Sequence, residues 1–171
     1  MEIGVDPLLA AGWIREYANM STSFSLGGKE LSRPVRRRNT VPQGDTGAPK
    51  IFNAALDVPA SLFIEECKRN HYGLYFTDGC GGPLHYCFIL YADNFWLIGK
   101  SPGELQAMFR MWIELLAIFG WTVPADECTW ATTMKDDARA AVSDESGKII
   151  RRARRSEGFK ALGCQITFDS R

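Results

Sequence analysis

The fold is decided by residues 84–120, which read LHYCFILYADNFWLIGKSPGELQAMFRMWIELLAIFG. The first part contains two runs rich in aromatic and β-branched residues, 84–91 and 95–98, separated by the polar pair Asp93 and Asn94. Runs of this kind around a short polar break are typical of a β-hairpin. We therefore expect a hairpin whose tip carries the Asp93 carboxylate.

The second part of this stretch predicts a long helix. Ser101 and Glu104 have the spacing of a capping box, Pro102 occupies the first helical position, and Gly120 ends the run. The apolar residues that share one helical face are Leu105, Met108, Phe109, Trp112, Leu115, Leu116 and Phe119. A stripe of methionine and aromatic side chains at this spacing indicates a helix packed on a core rather than a cofactor site.

A helix and a tight hairpin are predicted before this segment. Asp6 followed by Pro7 is typical of a helix start and predicts a helix over residues 7–18. Gly27 and Gly28 favour the positive backbone angles of a two-residue turn. The strands expected on either side of that turn are residues 22–26 and 30–35.

The remaining elements complete a mixed pattern of helices and strands. A glycine- and proline-rich segment, residues 40–49, leads into a helical pattern over residues 50–68, which Pro59 is expected to kink or break. The short strands expected after the long helix are residues 121–123, 128–132, 147–150 and 164–168. This order predicts an α+β fold, with helices packed on a small antiparallel sheet.

Composition limits the class of protein. The chain has 171 residues, of which 46% are hydrophobic, and a formal net charge of zero, which predicts one globular domain with a substantial core. Its apolar stretches are too short to span a bilayer and its first residues lack a signal-peptide pattern. We therefore expect an intracellular protein, cytoplasmic or nuclear, with no membrane contact. The five cysteines are odd in number and irregularly spaced, which argues against a disulfide framework and indicates that most of them are buried thiols.

Positive charge is concentrated in two clusters despite the zero net charge. The clusters are Arg33, Arg36, Arg37 and Arg38, and then Lys148, Arg151, Arg152, Arg154 and Arg155. Lysine and arginine supply most of the affinity for a phosphate backbone. The candidate nucleic-acid contacts are therefore Arg36, Arg37, Arg38, Arg151 and Arg152. The alternative interpretation of each cluster is a solvated face or loop.

Two motifs and a later hairpin resemble one known family in their order along the chain. Residues 41–53, VPQGDTGAPKIFN, resemble the reverse transcriptase motif with Gln-Gly, small residues, Ser-Pro and a following Asn, with Ala48 in the place of the serine. Residues 88–94, FILYADN, resemble the strand and turn that carry Tyr-Ala-Asp-Asp, with Asn94 in the place of the second aspartate. Residues 160–166, KALGCQI, resemble the Leu-Gly hairpin that grips the primer. The chain thus resembles reverse transcriptases of retroelements without long terminal repeats.

The resemblance implies a partial polymerase palm, residues 1–171, that follows the first catalytic strand of an RNA-directed DNA polymerase, with residues 147–171 beginning the primer-grip region. It implies that Asp93 is catalytic and binds Mg²⁺ or Mn²⁺. The residues implied to contact the substrate are Gln43, Gly44, Tyr91 and Asn94. The implied partners are an RNA template, a DNA primer and a deoxynucleoside triphosphate, together with the missing remainder of the polymerase.

Three departures from the family pattern predict a chain that is inactive alone. The family's upstream catalytic aspartate is expected to precede the chain, and Asn94 offers only a neutral carbonyl where a second carboxylate would hold a metal. Glu127 stands where the family commonly has a lysine near the triphosphate, and its charge would repel phosphate. We therefore expect a truncated retroelement product. The alternative is a non-catalytic remnant that binds nucleic acid through residues 36–43 and 151–155.

Overall fold

The chain has a mixed α+β architecture, as predicted. The computed structural model describes residues 8, 11–12, 15, 18, 20–30, 32–36, 46–133, 140–154, 156–161 and 164–167. These residues belong to two compact units, Met1–Leu56 and Asp57–Arg171. The helices are α1, Ala48–Arg69, and α2, Pro102–Ile118, and a 3₁₀ turn spans Ala125–Glu127.

The strands are short and pair two by two. They are β1 Ser21–Thr22, β2 Ser25–Leu26, β3 Lys29–Glu30, β4 Val35–Arg36, β5 Leu74–Thr77, β6 Pro83–Tyr86, β7 Phe88–Tyr91, β8 Asn94–Leu97, β9 Thr129–Trp130, β10 Arg151–Arg152, β11 Phe159–Ala161 and β12 Cys164–Ile166. In the described part of the chain they form six two-stranded sheets, of which only the β9–β10 pair is parallel. The predicted small antiparallel sheet is therefore divided into separate pairs, and the described strands do not form the continuous sheet of a polymerase palm.

The first unit contains the predicted hairpin. Strands β2 and β3 pair around Gly27 and Gly28, whose φ angles of 59° and 78° are both positive, as a type I′ turn requires. Strands β1 and β4 pair outside them. Each strand is only two residues long, which is shorter than predicted. The described residues of the helix predicted over 7–18 are helical: Leu8, Ala11, Gly12, Arg15 and Ala18.

Helix α1 passes through Pro59 without interruption, so of the predicted kink or break the break is wrong. Pro59 is fully buried, and packing around it offsets the loss of one helical hydrogen bond. The helix ends in a Schellman motif, in which Tyr72 N–H donates to Cys67 O at 2.9 Å and His71 N–H donates to Lys68 O at 3.2 Å. His71 adopts the left-handed conformation of this motif, with φ of 56°.

The single strand predicted over residues 84–91 is divided at Cys87. Residues before it pair with β5 and residues after it pair with β8, so two consecutive hairpins replace one long strand. The physical cause is the close approach of Gly73, whose φ is 88° and where a Cβ atom would lie 2.7 Å from both Tyr86 O and Cys87 Cβ. The backbone of Gly73 therefore packs directly against the junction of the two hairpins.

Helix α2 confirms the strongest sequence prediction. The Ser101 side chain accepts a hydrogen bond from Glu104 N–H at 3.2 Å, Pro102 begins the helix, and Gly120 adopts a φ of 75° beyond its end. The Glu104 carboxylate reaches to another element, because its Oε1 accepts the Gly73 N–H at 2.6 Å. The first turn of α2 is thereby tied to the segment that follows α1.

Helix α2 packs against two clusters in the second unit. The aromatic cluster comprises Phe63 of α1, Phe88 and Phe95 of the β7–β8 hairpin, and Trp112, with ring centroids 4.8 to 5.7 Å apart. The C-terminal cluster comprises the buried residues Phe109, Trp130, Val142 and Ile150. Most of the predicted apolar stripe therefore lies in the core: Met108, Phe109, Trp112 and Leu116 are buried, whereas Phe119 at the end of the stripe is exposed.

Hydrogen bonds connect α2 to the C-terminal segment. Gln106 Nε2 donates to Ser143 O at 2.9 Å, and Gln106 Oε1 accepts the Ser143 N–H at 2.6 Å. One side-chain amide thus satisfies both backbone polar groups of one residue, as a neighbouring strand would.

The short strands predicted after α2 are partly correct. Strand β9 lies within residues 128–132, and β12 lies within residues 164–168, where it pairs with β11. Residues 121–123 are not a strand. Within residues 147–150 only Ile149 forms a bridge, an antiparallel one to Ser143, and the strand β10 follows at Arg151–Arg152.

Candidate functional site

Asp93 lies at the tip of a tight hairpin, as predicted. The register of β7 and β8 pairs Tyr91 with Asn94 and leaves Ala92 and Asp93 as a two-residue turn. Ala92 has a φ of 51°, a conformation that costs about 1 kcal/mol or more for a residue with a Cβ atom. Asp93 is exposed at this turn, while Asn94 is the first residue of β8.

The surroundings of Asp93 supply little for binding a metal ion. Asn94 Nδ2 donates to Asp93 Oδ1 at 3.2 Å, which occupies one carboxylate oxygen. Among the described residues, no group of three or more His, Cys, Asp or Glu side chains is placed to hold a metal ion. A magnesium ion at Asp93 would therefore depend on water, on substrate phosphates or on a carboxylate from elsewhere.

The two faces of the β7–β8 hairpin differ in exposure. Phe88 and Phe95 pack on Trp112, so one face belongs to the core. The opposite face carries Ile89 and Tyr91, of which Tyr91 is 61% exposed. The structure thus brings three predicted site residues, Tyr91, Asp93 and Asn94, to the exposed end of one hairpin.

The other predicted substrate and nucleic-acid contacts are located less completely. Arg36 lies in β4, where its guanidinium donates to Ala18 O at 3.1 Å. The predicted contacts that lie outside the described residues are Gln43, Gly44, Arg37 and Arg38. Glu127 is exposed at the end of the 3₁₀ turn.

Two cations of the second basic cluster are neutralised by carboxylates. Arg151 Nη1 lies 2.9 Å from Glu157 Oε1, and Lys148 Nζ lies 2.5 Å from Asp126 Oδ1. The hydrogen bond and charge of Arg151 hold the pKa of Glu157 below its usual range. For Arg151 and Lys148, the solvated-face interpretation of the cluster describes their surroundings well, because each pair is exposed to water.

Arg152 has a different environment. Its guanidinium lies over the ring of Trp130, 5.0 Å from the ring centroid, and Trp130 is its registered partner in the β9–β10 pair. Next to it lies a cleft of about 340 Å³, here called the arginine cleft, lined by Thr132, Arg152, Ala153 and Arg154. Sequence reasoning missed Trp130 and Thr132, because they reach Arg152 only through the parallel pairing of distant segments.

The prediction that most cysteines are buried is wrong, because only Cys67 and Cys87 are buried, Cys128 is half-buried, and Cys80 and Cys164 are exposed. Burial raises the pKa of the Cys67, Cys87 and Cys128 thiols, and contact with Cys87 adds to the effect at Cys67. These three thiols are therefore protonated near neutral pH and do not provide the thiolate that nucleophilic catalysis needs.

Comparisons with known proteins do not identify a related site. No protein-family model matches the chain, and no significant match was found among curated proteins or solved structures. Within the described residues, no helix is both long and apolar enough to cross a membrane.

Proposed function

We propose that the chain is a reverse transcriptase-like domain of retroelement origin, acting inside the cell, that binds nucleic acid and does not polymerise alone. The observation that carries this proposal is the β7–β8 hairpin, which packs on the capped helix α2 and exposes Asp93 at its tip. This is the arrangement expected from the Tyr-Ala-Asp motif and the helix after it.

Metal chemistry explains why activity alone is not expected. Nucleotidyl transfer uses two divalent ions, bridged by carboxylates, to activate the primer hydroxyl and to hold the leaving phosphates. Asp93 would supply one ligand to Mg²⁺ or Mn²⁺, whereas Asn94 offers a neutral carbonyl and Glu127 adds negative charge. Polymerisation would need further carboxylates beside Asp93, from another part of a polymerase, around the RNA template, the DNA primer and the nucleotide.

A second candidate function is non-catalytic nucleic-acid binding. It is favoured by the guanidinium of Arg152, which is held over Trp130 beside a cleft that also contains Arg154. In this case the Asp93 hairpin would be a relic, and only the basic surface would contact nucleic acid.

Primer extension on a homopolymer RNA template, with Mg²⁺ or Mn²⁺, tests the proposal. We expect no incorporation by the chain alone, and retained binding of a primer–template duplex in a fluorescence anisotropy titration. Incorporation that disappears in Asp93→Ala and persists in Glu114→Ala, an exposed carboxylate on α2, would show that the chain polymerises alone. Absence of duplex binding by folded protein would contradict both candidate functions.

A third variant examines the metal site directly. Asn94→Asp places a second carboxylate beside Asp93, as in the family motif, and we expect it to bind Mn²⁺ more tightly than the original chain. Paramagnetic broadening of the Tyr91 and Ala92 amide signals by Mn²⁺ measures this. Equal broadening in both proteins would mean that the second carboxylate adds nothing to metal binding, and no broadening in either would mean that the hairpin tip does not hold a metal.

A further inference from the structure

We propose that Cys67 and Cys87 form a redox-sensitive dithiol, which a peroxide oxidises to a disulfide that ties the end of α1 to the junction of the two hairpins. Cys67 lies in the last turn of α1, and Cys87 lies between β6 and β7. Both cysteines are free and almost completely buried. This inference goes beyond the proposed function and does not depend on it.

The aromatic cluster places α1 against the strand that follows Cys87. The ring of Phe63 contacts that of Phe88, the first residue of β7, with the ring centroids 5.2 Å apart. Because residues four apart share a helical face, Cys67 lies on the same side of α1 as Phe63. The thiols of Cys67 and Cys87 are accordingly in hydrogen-bonding contact.

The turn after α1 also connects the two cysteines. Tyr72 N–H donates to Cys67 O at 2.9 Å, so the turn is fixed on the end of the helix. The next residue, Gly73, packs so closely on the hairpin junction that a Cβ atom would lie 2.7 Å from Cys87 Cβ. Two separate sets of contacts therefore keep the thiols adjacent, as disulfide formation requires.

The surroundings give the two thiols different roles. Burial raises the pKa of both, but contact with Cys67 and the charge of Lys68 oppose burial and act to lower the pKa of Cys87. At Cys67, contact with Cys87 and the charge of Glu104 add to burial and raise the pKa further. Cys87 is therefore the thiol that ionises first, and Cys67 is the thiol that completes the disulfide.

The oxidation takes place in two steps that use one molecule of hydrogen peroxide. The Cys87 thiolate attacks one peroxide oxygen and the O–O bond breaks, which gives a sulfenic acid on Cys87 and a hydroxide that takes up the proton released by Cys87. The Cys67 sulfur then attacks the sulfenic sulfur, the S–S bond forms, and the sulfenic oxygen leaves as water with the Cys67 proton. The two sulfurs lose two electrons in total, and the peroxide is reduced to two water molecules.

The disulfide would act on the hairpin that carries Asp93. Ile98 N–H donates to Cys87 O at 2.9 Å, so Cys87 also supports the residue after β8. A covalent link between residues 67 and 87 restricts the unfolded chain and makes the folded protein more stable. In a reducing compartment the thiols stay free, so the link forms under oxidising conditions and is reversed by thiol exchange.

Peptide mapping tests the assignment on the full chain. In Cys80→Ser, which replaces an exposed thiol, trypsin releases Cys67 in peptide 51–68 and Cys87 in peptide 70–100, each with a single cysteine. After treatment with hydrogen peroxide, unfolding in iodoacetamide and digestion without reductant, we expect one linked species, lighter than the sum of the two peptides by the thiol hydrogens. Alkylated Cys67 and Cys87 in protein whose exposed Cys164 is oxidised would overturn the proposal.

Thermal denaturation measures the effect of the link on stability. We expect peroxide-oxidised protein to melt roughly 5–10 °C higher than reduced protein. The rise should disappear in Cys67→Ala and persist in Cys128→Ala, which removes a half-buried thiol outside this pair. Melts of the reduced variants verify that they fold, and the mapping in Cys80→Ser requires no change in the core. An equal rise in Cys67→Ala would overturn the stabilising link.

Dimedone, which labels sulfenic acids, tests the order of the two steps. Cys67→Ala should stop the reaction at the sulfenic acid of Cys87 and be labelled strongly. Cys87→Ala leaves only the thiol that ionises less readily and should be labelled more weakly at the same peroxide concentration. Equal labelling of the two variants would overturn the assignment of Cys87 as the thiol that reacts first.

Discussion

Both faces of helix α2 bury apolar side chains, but only one of them adds a pair of directional hydrogen bonds. The aromatic cluster packs rings from α1 and from the hairpin that precedes α2, so it combines large buried areas. The C-terminal cluster joins α2 to segments far along the chain, and the paired hydrogen bonds of Gln106 and Ser143 position it. Both faces depend on buried apolar area, and the C-terminal face adds the two directional contacts between Gln106 and Ser143.

The largest expected effect concerns the aromatic face. Trp112→Ala removes the ring shared by the contacts to Phe63, Phe88 and Phe95, and it should lower the free energy of unfolding by about 3–5 kcal/mol. Trp112→Phe should cost far less, because the buried Trp112 indole N–H has no partner within the described structure. Urea denaturation measures both variants. Similar losses in the two would mean that a smaller aromatic ring cannot replace the packing of the full indole on this face.

The C-terminal face of α2 should lose stability when the side-chain amide of Gln106 is removed. Gln106→Ala leaves the Ser143 N–H and C=O without their side-chain partner, at a cost of about 1–3 kcal/mol. Hydrogen exchange should accelerate at Ser143 and Ile150 and remain unchanged at Ile98. Gln106→Glu keeps an acceptor for the Ser143 N–H and loses the donor, so its effect should be intermediate. Uniform acceleration across all three amides would remove the distinction between the two faces.

A smaller effect of opposite sign is expected at the tip of the Asp93 hairpin. Ala92→Gly relieves the positive φ of 51° and should stabilise the protein by up to about 1 kcal/mol. The matched control is Ala117→Gly on the exposed surface of α2, which should destabilise it by about 1 kcal/mol. Thermal denaturation compares the stability of the two variants. A loss of stability in both would contradict the left-handed conformation of Ala92.

The smallest effect is the response of the C-terminal region to pH. The hydrogen bond and charge of Arg151 lower the pKa of Glu157. The ion pair therefore stabilises the folded protein fully above the ordinary glutamate pKa of about 4.3, and this stabilisation is lost as pH falls through the lowered pKa. Amide exchange near Gly158 should therefore accelerate in acid, and Glu157→Gln should reduce this dependence. The same acid response in Glu157→Gln would assign it to another carboxylate, such as Asp144, whose pKa is lowered by its hydrogen bond with Ser146.

The sequence predicted best what local signals determine. Helix α2 was predicted with its cap because Ser101, Pro102 and Gly120 each act within one helical turn. The Asp93 hairpin was predicted because alternation and a polar break suffice to define two strands. These signals placed Asp93 at the tip of a hairpin, whereas Tyr91 and Asn94 became candidate site residues only through the resemblance of residues 88–94 to the reverse transcriptase motif.

Features created by contacts between distant segments were not predictable. The division of the strand at Cys87 depends on the approach of Gly73, and no pattern within residues 84–91 indicates it. The arginine cleft depends on parallel pairing of Arg152 with Trp130, two residues separated by a segment without strong periodicity. Charge clustering therefore identified Arg151 and Arg152 as equivalent, whereas the structure gives them different partners.

The two hydrogen bonds between Gln106 and Ser143 also set the register of the C-terminal segment against helix α2. Because one amide recognises both polar groups of Ser143, it selects a single residue of the C-terminal segment to lie beside α2. If the C-terminal segment shifted by one residue, its backbone N–H and C=O groups would point away from Gln106. The two hydrogen bonds therefore fix the register of this segment against α2. Insertions or deletions in homologues of this chain would then accumulate before Ser143 or after Ile150, while the spacing between Ser143 and Ile150 would stay constant.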